Sequence, residues 1–296
     1  MNERIKRRLH KRLLIDKKLE TTKKSNSTIE KISIVVVTYH NDFLLLARLL
    51  NSIYQYWDPA QVDKISIILN DTPVYYEEFE NLIARNTNSK FKITSHYAVN
   101  LAPKLDFFNW NSQQLLKCLS HELVDTEWYI IHDCKDFYIG PVEIADIFND
   151  KNQAAIQLNH ARGPNHGLVP RAPNCFWAPG PFSMALKISY DFWDLDYQDY
   201  RIMHFPTGTP FIVKTEIMRE MVSELKTMTK GFFHLLFLAY IEGELMVTEF
   251  LLYGAYAYKK NKWANYINWD DDSTARKFFL AVCQSKDLRT EILPTV

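Results

Sequence analysis

The 296-residue chain carries 35 Lys plus Arg against 35 Asp plus Glu, so its formal net charge is zero and no chain-wide field holds a polyanion. Hydrophobic residues make up 47% of it, enough for a large core, which excludes a disordered or fibrous protein. Its four cysteines are far apart with no C-x-x-C pair, which argues against a zinc ribbon or a disulfide framework and leads to the expectation of a reduced, cytoplasmic protein.

Residues 1 to about 30 are rich in Lys, Arg, Ser and Thr and read as a loose basic arm. Two readings stand for it: a weak electrostatic contact with an anionic membrane surface or nucleic acid, and a solubilising tail. It lacks the apolar core of a signal peptide, and no apolar run in the chain reaches the ~18–20 residues of a membrane span. No specific nucleic acid is expected as a partner.

The fold proper opens at Lys31 with a β-branched apolar run to Thr38 and Tyr39, a predicted strand. Phe43, Leu46, Ala47, Leu50, Ile53, Tyr54 and Trp57 then recur at helical spacing. Lys64 to Leu69 predicts a second strand that stops at Asn70-Asp71-Thr72-Pro73, Tyr76 to Arg85 a helix, and Phe91 to Tyr97 a third strand, giving a βαβαβ order. A further helix is expected to run to about Leu123, with Leu105, Phe108, Leu115, Leu116, Leu119 and Leu123 buried. Trp110, Gln113, Gln114 and Lys117 form a separate stripe on it, which spacing alone reads first as a solvated face and second as a polar ligand surface.

Trp128 to Ile131 reads as a strand buried on both faces, and it ends abruptly in His132, Asp133, Cys134, Lys135 and Asp136. Ligands bind at that edge of open α/β sheets. A short helix to Phe148, a strand near Ile156 to Leu158 and an irregular Pro- and Gly-rich loop over 162–181 follow. Thr209 to Val213 reads as a last strand, and Ile217, Met218, Met221, Val222 and Leu225 as the buried face of a helix. Thr248 is a predicted N-cap with Glu249 in the first turn, and a final helix is expected near Ala275 to Cys283. Only 8 residues are Gly, where average usage of ~7% would give about 20. No G-x-G-x-x-G or Walker loop follows the first strand, so side chains must hold any nucleotide.

The stretches SIVVVTYHND at 33–42, IILND at 67–71 and IIHDCKD at 130–136 together resemble the type A (GT-A fold) glycosyltransferase superfamily in order and spacing. NWNSQQLLKCL at 109–119, GTPFIVKTEIMREM at 208–221 and TEFLLYGAY at 248–256 resemble a phage and bacterial branch of it, in which Asp-x-Asp is replaced by Asp-x-Lys, here Asp133-Cys134-Lys135. The resemblance covers roughly residues 32–260. It implies an α/β fold with a mostly parallel, Rossmann-like central sheet flanked by helices and a mixed helical C-terminal acceptor region. Residues 1–30 would be the arm, 31–150 a nucleotide-sugar-binding half, and 151–296 the acceptor-side half of the same domain. The implied activity is transfer of a sugar from a nucleotide-diphosphate donor, UDP-linked, to a glycan, protein or small-molecule acceptor held by the loop 160–182 and the C-terminal third.

A departing diphosphate must be stabilised by a metal ion or by fixed cations. One version is a Mn²⁺ or Mg²⁺ site of Asp133 with Asp136; the other is metal-free, with Lys135 and either Lys104 or Lys117 in place of the ion. A purely structural Asp133–Lys135 pair is the alternative to both. Thr38, Tyr39 and Asp71 are the candidates for base and ribose, although Asp71 also suits an Asx-turn with Thr72-Pro73. The resemblance places Trp110, Gln113 and Lys117 at the end of the 128–133 strand and makes Glu249 the general base of an inverting transfer, against its reading as a helix-cap acid. His132, His160, His166 and His204 read as ordinary surface or core histidines. The rivals are a catalytically degenerate binding or assembly module and a nucleotidyltransferase, the latter disfavoured by the missing glycine-rich loop.

Overall fold

The computed structural model describes residues 27–103, 108–156, 181–195, 205, 208–230, 248–268, 278 and 282–284. Strands β1 (Ile32–Thr38), β2 (Val62–Leu69), β3 (Ile93–Tyr97), β4 (Trp128–Asp133) and β7 (Phe211–Lys214) form one sheet in the order β3-β2-β1-β4-β7. The first four are parallel, and β7 runs antiparallel against β4. The architecture is therefore α/β with a mostly parallel central sheet flanked by helices, as expected.

β1 lies between two parallel neighbours, and all seven of its residues are buried. Each such Ile or Val contributes ~1.5–3 kcal/mol relative to an exposed one, so a run of them pins this strand at the centre. Helices α1 (Phe43–Tyr56) and α2 (Tyr76–Asn86) pack together, while α4 (Trp110–Leu119), α6 (Thr215–Met228) and α7 (Glu249–Lys259) form a second packed group. A short α3 (Ala98–Leu101) follows β3, and α5 (Pro181–Phe192) packs on α7. Two small pairs stand apart from the main sheet: β5 (Asp136–Tyr138) with β9 (Val282–Gln284), and β6 (Ala154–Ile156) with β8 (Tyr266–Asn268).

Several expectations are corrected. The helix expected to reach Leu123 ends as an α-helix at Leu119 and continues as a 3-10 turn, because Ser120 Oγ donates to Lys117 O at 2.7 Å and tightens the last turn. Leu105 lies outside the described residues. Val282 to Gln284 is a strand rather than the end of a helix; a helical reading of 275–283 missed that β5, three residues beyond β4, leaves an edge to be paired. The 3-10 turn Ile144–Asp146 stands where a short α-helix to Phe148 was expected.

Candidate active site at the end of β4

α4 starts where it does because Asn109 caps it. Its Oδ1 accepts from Asn111 N at 2.8 Å and Ser112 N at 3.1 Å, while Ser112 Oγ accepts from Asn109 N at 2.8 Å. Asn70, just past β2, joins this cap: its Oδ1 accepts from Ser112 Oγ at 2.9 Å and its Nδ2 donates to Asn109 O at 3.0 Å. The helix is thereby anchored to the carboxyl edge of the sheet. Two turns further along it, Lys117 projects to the end of β4.

Lys117 is 4% exposed, and its Nζ lies 2.9 Å from Asp133 Oδ1 and 3.1 Å from Glu249 Oε1. Lys135 approaches from the open side, with Nζ 2.8 Å from Asp133 Oδ2. Glu249 opens α7 directly after Thr248, whose Oγ1 accepts from Leu251 N at 3.3 Å, so the predicted cap is present. Next to it, Phe250 stacks on Phe211 of β7 with ring centroids 4.0 Å apart, which fixes the start of α7 over the sheet. Glu249 is buried, and its Oε2 has no hydrogen-bond partner among the described residues.

The electrostatics follow from this packing. Burial alone would push Lys117 down, but Asp133 and then Glu249 outweigh it and hold the ammonium above its ordinary range. Asp133 is the mirror case: burial raises it, and Lys117 with Lys135 outweighs burial and keeps it well below the usual carboxylate range. Glu249 is raised, chiefly by burial, with Lys117 only partly offsetting it. Asp42 is raised by burial and by the Asp133 charge, and Lys135 partly offsets both. Lys135 stays above the ordinary lysine value because Asp133 outweighs its own burial.

His132 and Asp133 are successive residues of β4 and project to opposite faces. Asp136 Oδ2 lies 3.3 Å from His132 Nδ1, and His132 Nε2 is 2.7 Å from the Tyr138 hydroxyl. Asp136 Oδ2 thus meets His132, whose side chain lies on the face of β4 opposite Asp133, and Asp136 Oδ1 has no hydrogen-bond partner among the described residues. Both Asp133 oxygens face ammonium groups, a donor set that does not fit a resident Mn²⁺ or Mg²⁺, which would need several oxygen ligands and would have to displace Lys135. Among the described residues no group of three or more His, Cys, Asp or Glu is placed to hold a metal ion.

The remaining candidates are spread along the same edge. Tyr39 is 38% exposed just beyond β1, whereas Thr38 is wholly buried and its carbonyl accepts from Asn70 N at 2.7 Å. Asp71 has both oxygens engaged: Oδ2 accepts from His40 N at 2.9 Å and lies 2.7 Å from His40 Nδ1, and Oδ1 accepts from Thr72 N at 2.9 Å. Gln113 Nε2 reaches Val37 O at 3.5 Å, and Trp110 is 42% exposed at the start of α4. Lys104 and residues 160–180 of the expected acceptor loop lie outside the described residues, as do His160, His166, His204 and residues 1–26 of the arm.

A family model described as a family of unknown function (DUF6492) matches residues 27–288. The chain belongs to that family. No curated protein matches it. The crystal structure of mouse xyloside xylosyltransferase 1 in its apo form is similar to it with a TM-score of 0.43 and 13% sequence identity, over 78% of this chain and 83% of that one. A likeness at that level carries no argument about chemistry.

In this DUF6492 chain two residues at the edge escaped the reading of the sequence. His40, clamped by Asp71, stacks on Tyr75 with centroids 4.0 Å apart and planes 4° apart, and Asp42 stands within electrostatic reach of Asp133 and Lys135. Both sit within four residues of the end of β1, the position at which an open α/β sheet offers side chains to a ligand. Gln114 and Lys117 correct the expectation of a solvated stripe, being 2% and 4% exposed. Only that part of the row faces the interior, where Lys117 meets Glu249 of α7; Trp110 stays exposed.

Proposed function

We propose that this chain is a glycosyltransferase that takes its sugar from a nucleotide-diphosphate donor, UDP-linked, and stabilises the departing diphosphate with lysine rather than with a divalent ion. One observation carries the reading: Lys117 and Lys135 converge on Asp133 at the carboxyl edge of the parallel strands. Lys135, with its side chain 48% exposed, is the cation that an incoming diphosphate reaches. Moving from Asp133 to phosphate, it exchanges one anion for another. Lys117 stays behind, so Asp133 is not left as a buried unpaired charge. In the transfer the anomeric C–O bond to the diphosphate breaks, the acceptor oxygen bonds to the anomeric carbon, and the acceptor proton goes to a base. Glu249, with its raised pKa and unpartnered Oε2, has the properties of that base. Tyr39 would stack the base ring, beside the His40–Asp71 pair.

Isothermal titration with UDP, GDP and CDP, with and without Mn²⁺, tests this. UDP is expected to bind without metal, and Lys135→Ala to weaken it about tenfold or more, the loss of one charge-assisted hydrogen bond. Absence of binding by every nucleotide under both conditions would sink the reading, and binding only with Mn²⁺ would sink its metal-free part.

The second reading is a degenerate module that binds without catalysing. It is favoured by the same lysines, since they occupy the Asp133 oxygens with which a metal-dependent relative would hold an ion. It requires that Asp133→Ala leave biological activity intact, whereas a transferase loses it.

A further inference from the structure

At the far end of α7 from Glu249, a cleft of about 540 Å³ is lined by Trp193, Asp194, Tyr258, Lys259, Asn261 and Trp263. From Glu249 to Tyr258 the helix rises roughly 14 Å, so the cleft is separate from the Asp133 cluster. Its volume falls within the ~300–1,000 Å³ typical of small-molecule sites.

α5 and α7 end side by side here in the same way. Leu195 N donates to Tyr190 O at 2.9 Å and Lys262 N to Ala257 O at 2.8 Å, while Asp194 N and Asn261 N donate to Asp191 O and Tyr258 O at 3.1 and 3.0 Å. These are paired Schellman caps, whose left-handed position ordinarily falls to glycine. It is taken instead by Asp194, φ 56°, and by Asn261, φ 55°. Each cap thus gives the cleft a carboxylate or an amide where the turn alone asks for no side chain. The Asp194 side chain is 90% exposed, with Lys259 Nζ 3.6 Å away as its charge partner.

The aromatic wall is held rigid from behind. Trp193 is wholly buried and backs the wall, its Nε1 donating to Leu252 O at 3.1 Å, while Trp263 in the wall donates Nε1 to Gly254 O at 2.9 Å. Tyr258 meets Trp263 at 75° with centroids 5.3 Å apart, forming a corner, and Tyr258 is 37% exposed. An aromatic face with negative quadrupole attracts the polarised C–H groups of a pyranose, and carboxylate, amide and ammonium groups at the rim match its hydroxyls. Asp194 and Lys259 cancel in charge, which selects no ionic ligand.

We propose that this cleft is a second saccharide site that takes a neutral pyranose unit of a glycan. The assignment does not depend on the chemistry at Asp133.

The test is saturation-transfer NMR and tryptophan fluorescence on the full chain with neutral trisaccharides built from glucose, galactose, xylose or N-acetylglucosamine, and with uridine as the competing class. At least one trisaccharide is expected to bind. Tyr258→Ala and Asn261→Gly, which keeps the left-handed turn, should each weaken it about tenfold, the scale of one lost stacking or polar contact. UDP titration of both variants is expected to be unchanged. No trisaccharide binding at millimolar concentration, binding that both variants leave intact, or uridine binding that the two variants abolish would overturn the proposal. Those results leave the nucleotide titrations of the Asp133 cluster standing or falling separately.

Discussion

An ammonium sealed from water persists only where neighbouring anions outweigh its lost hydration, and Lys117 has Asp133 at 2.9 Å and Glu249 at 3.1 Å for that purpose. Replacing it with methionine keeps most of the volume but leaves buried Glu249 with no cation and Asp133 with Lys135 alone. Lys117→Met is therefore expected to cost ~3–5 kcal/mol in urea unfolding, the usual penalty for stranding a buried charge. Adding Glu249→Gln removes the stranded charge, so the double variant should recover part of the loss; a double variant as unstable as the sum of the singles would refute the coupling. The pairing of Asp133 with Lys135 was legible as one of the readings of charge at the end of an apolar strand. Lys117 was harder to place. Its spacing gives the stripe it belongs to but not what covers that stripe, and the cover, α7, lies more than 130 residues further along the chain.

α7 shows how an element reports its packing through a single residue. In mid-helix a Gly→Ala change ordinarily gains about 1 kcal/mol of propensity. At Gly254 an added Cβ would stand 2.8 Å from Phe205 Cγ and 2.9 Å from Phe205 Cβ, and the latter is too near the backbone to move aside cheaply. Overpacking of this kind costs ~1–3 kcal/mol, which outweighs the propensity term. Gly254→Ala should thus lower the melting temperature in differential scanning calorimetry, and a rise would show that Phe205 yields. Long periodic or β-branched runs made β1, β2, β4, α1, α6 and α7 readable in advance. Short elements were not: β5 and β9 are three residues each, too few for a period to show, and they exist because each pairs with the other.

Across the whole molecule the buried carboxylates pull stability in opposite directions with pH. Asp133 is depressed from 3.8, so its stabilising contribution is present above that value and is lost as pH falls through the lower folded-state value. Glu249 is raised from 4.5, so its contribution is complete below 4.5 and is lost as pH rises through the higher folded-state value. Unfolding measured from pH 3 to 8 should show Glu249→Gln losing less stability than the parent between about pH 4.5 and neutrality. Asp133→Asn should flatten the acid limb. A Glu249→Gln profile parallel to the parent throughout would place the titration elsewhere.

The central sheet was the most legible level, because strands alternating with helices leave few topologies; that β7 joins it antiparallel was not, since one strand alone does not declare its direction. No helix of the described residues is long and apolar enough to cross a membrane. The three side chains of the closed cluster come from α4, β4 and α7, the last opening at Glu249. During synthesis, when chains fold from the amino terminus, β1 to β4 are available while Glu249 is still unmade. The ribosome must add 116 residues beyond Asp133 before Lys117 acquires its second counter-ion at Glu249, so a shorter product carries the first strands of the sheet without the closed cluster.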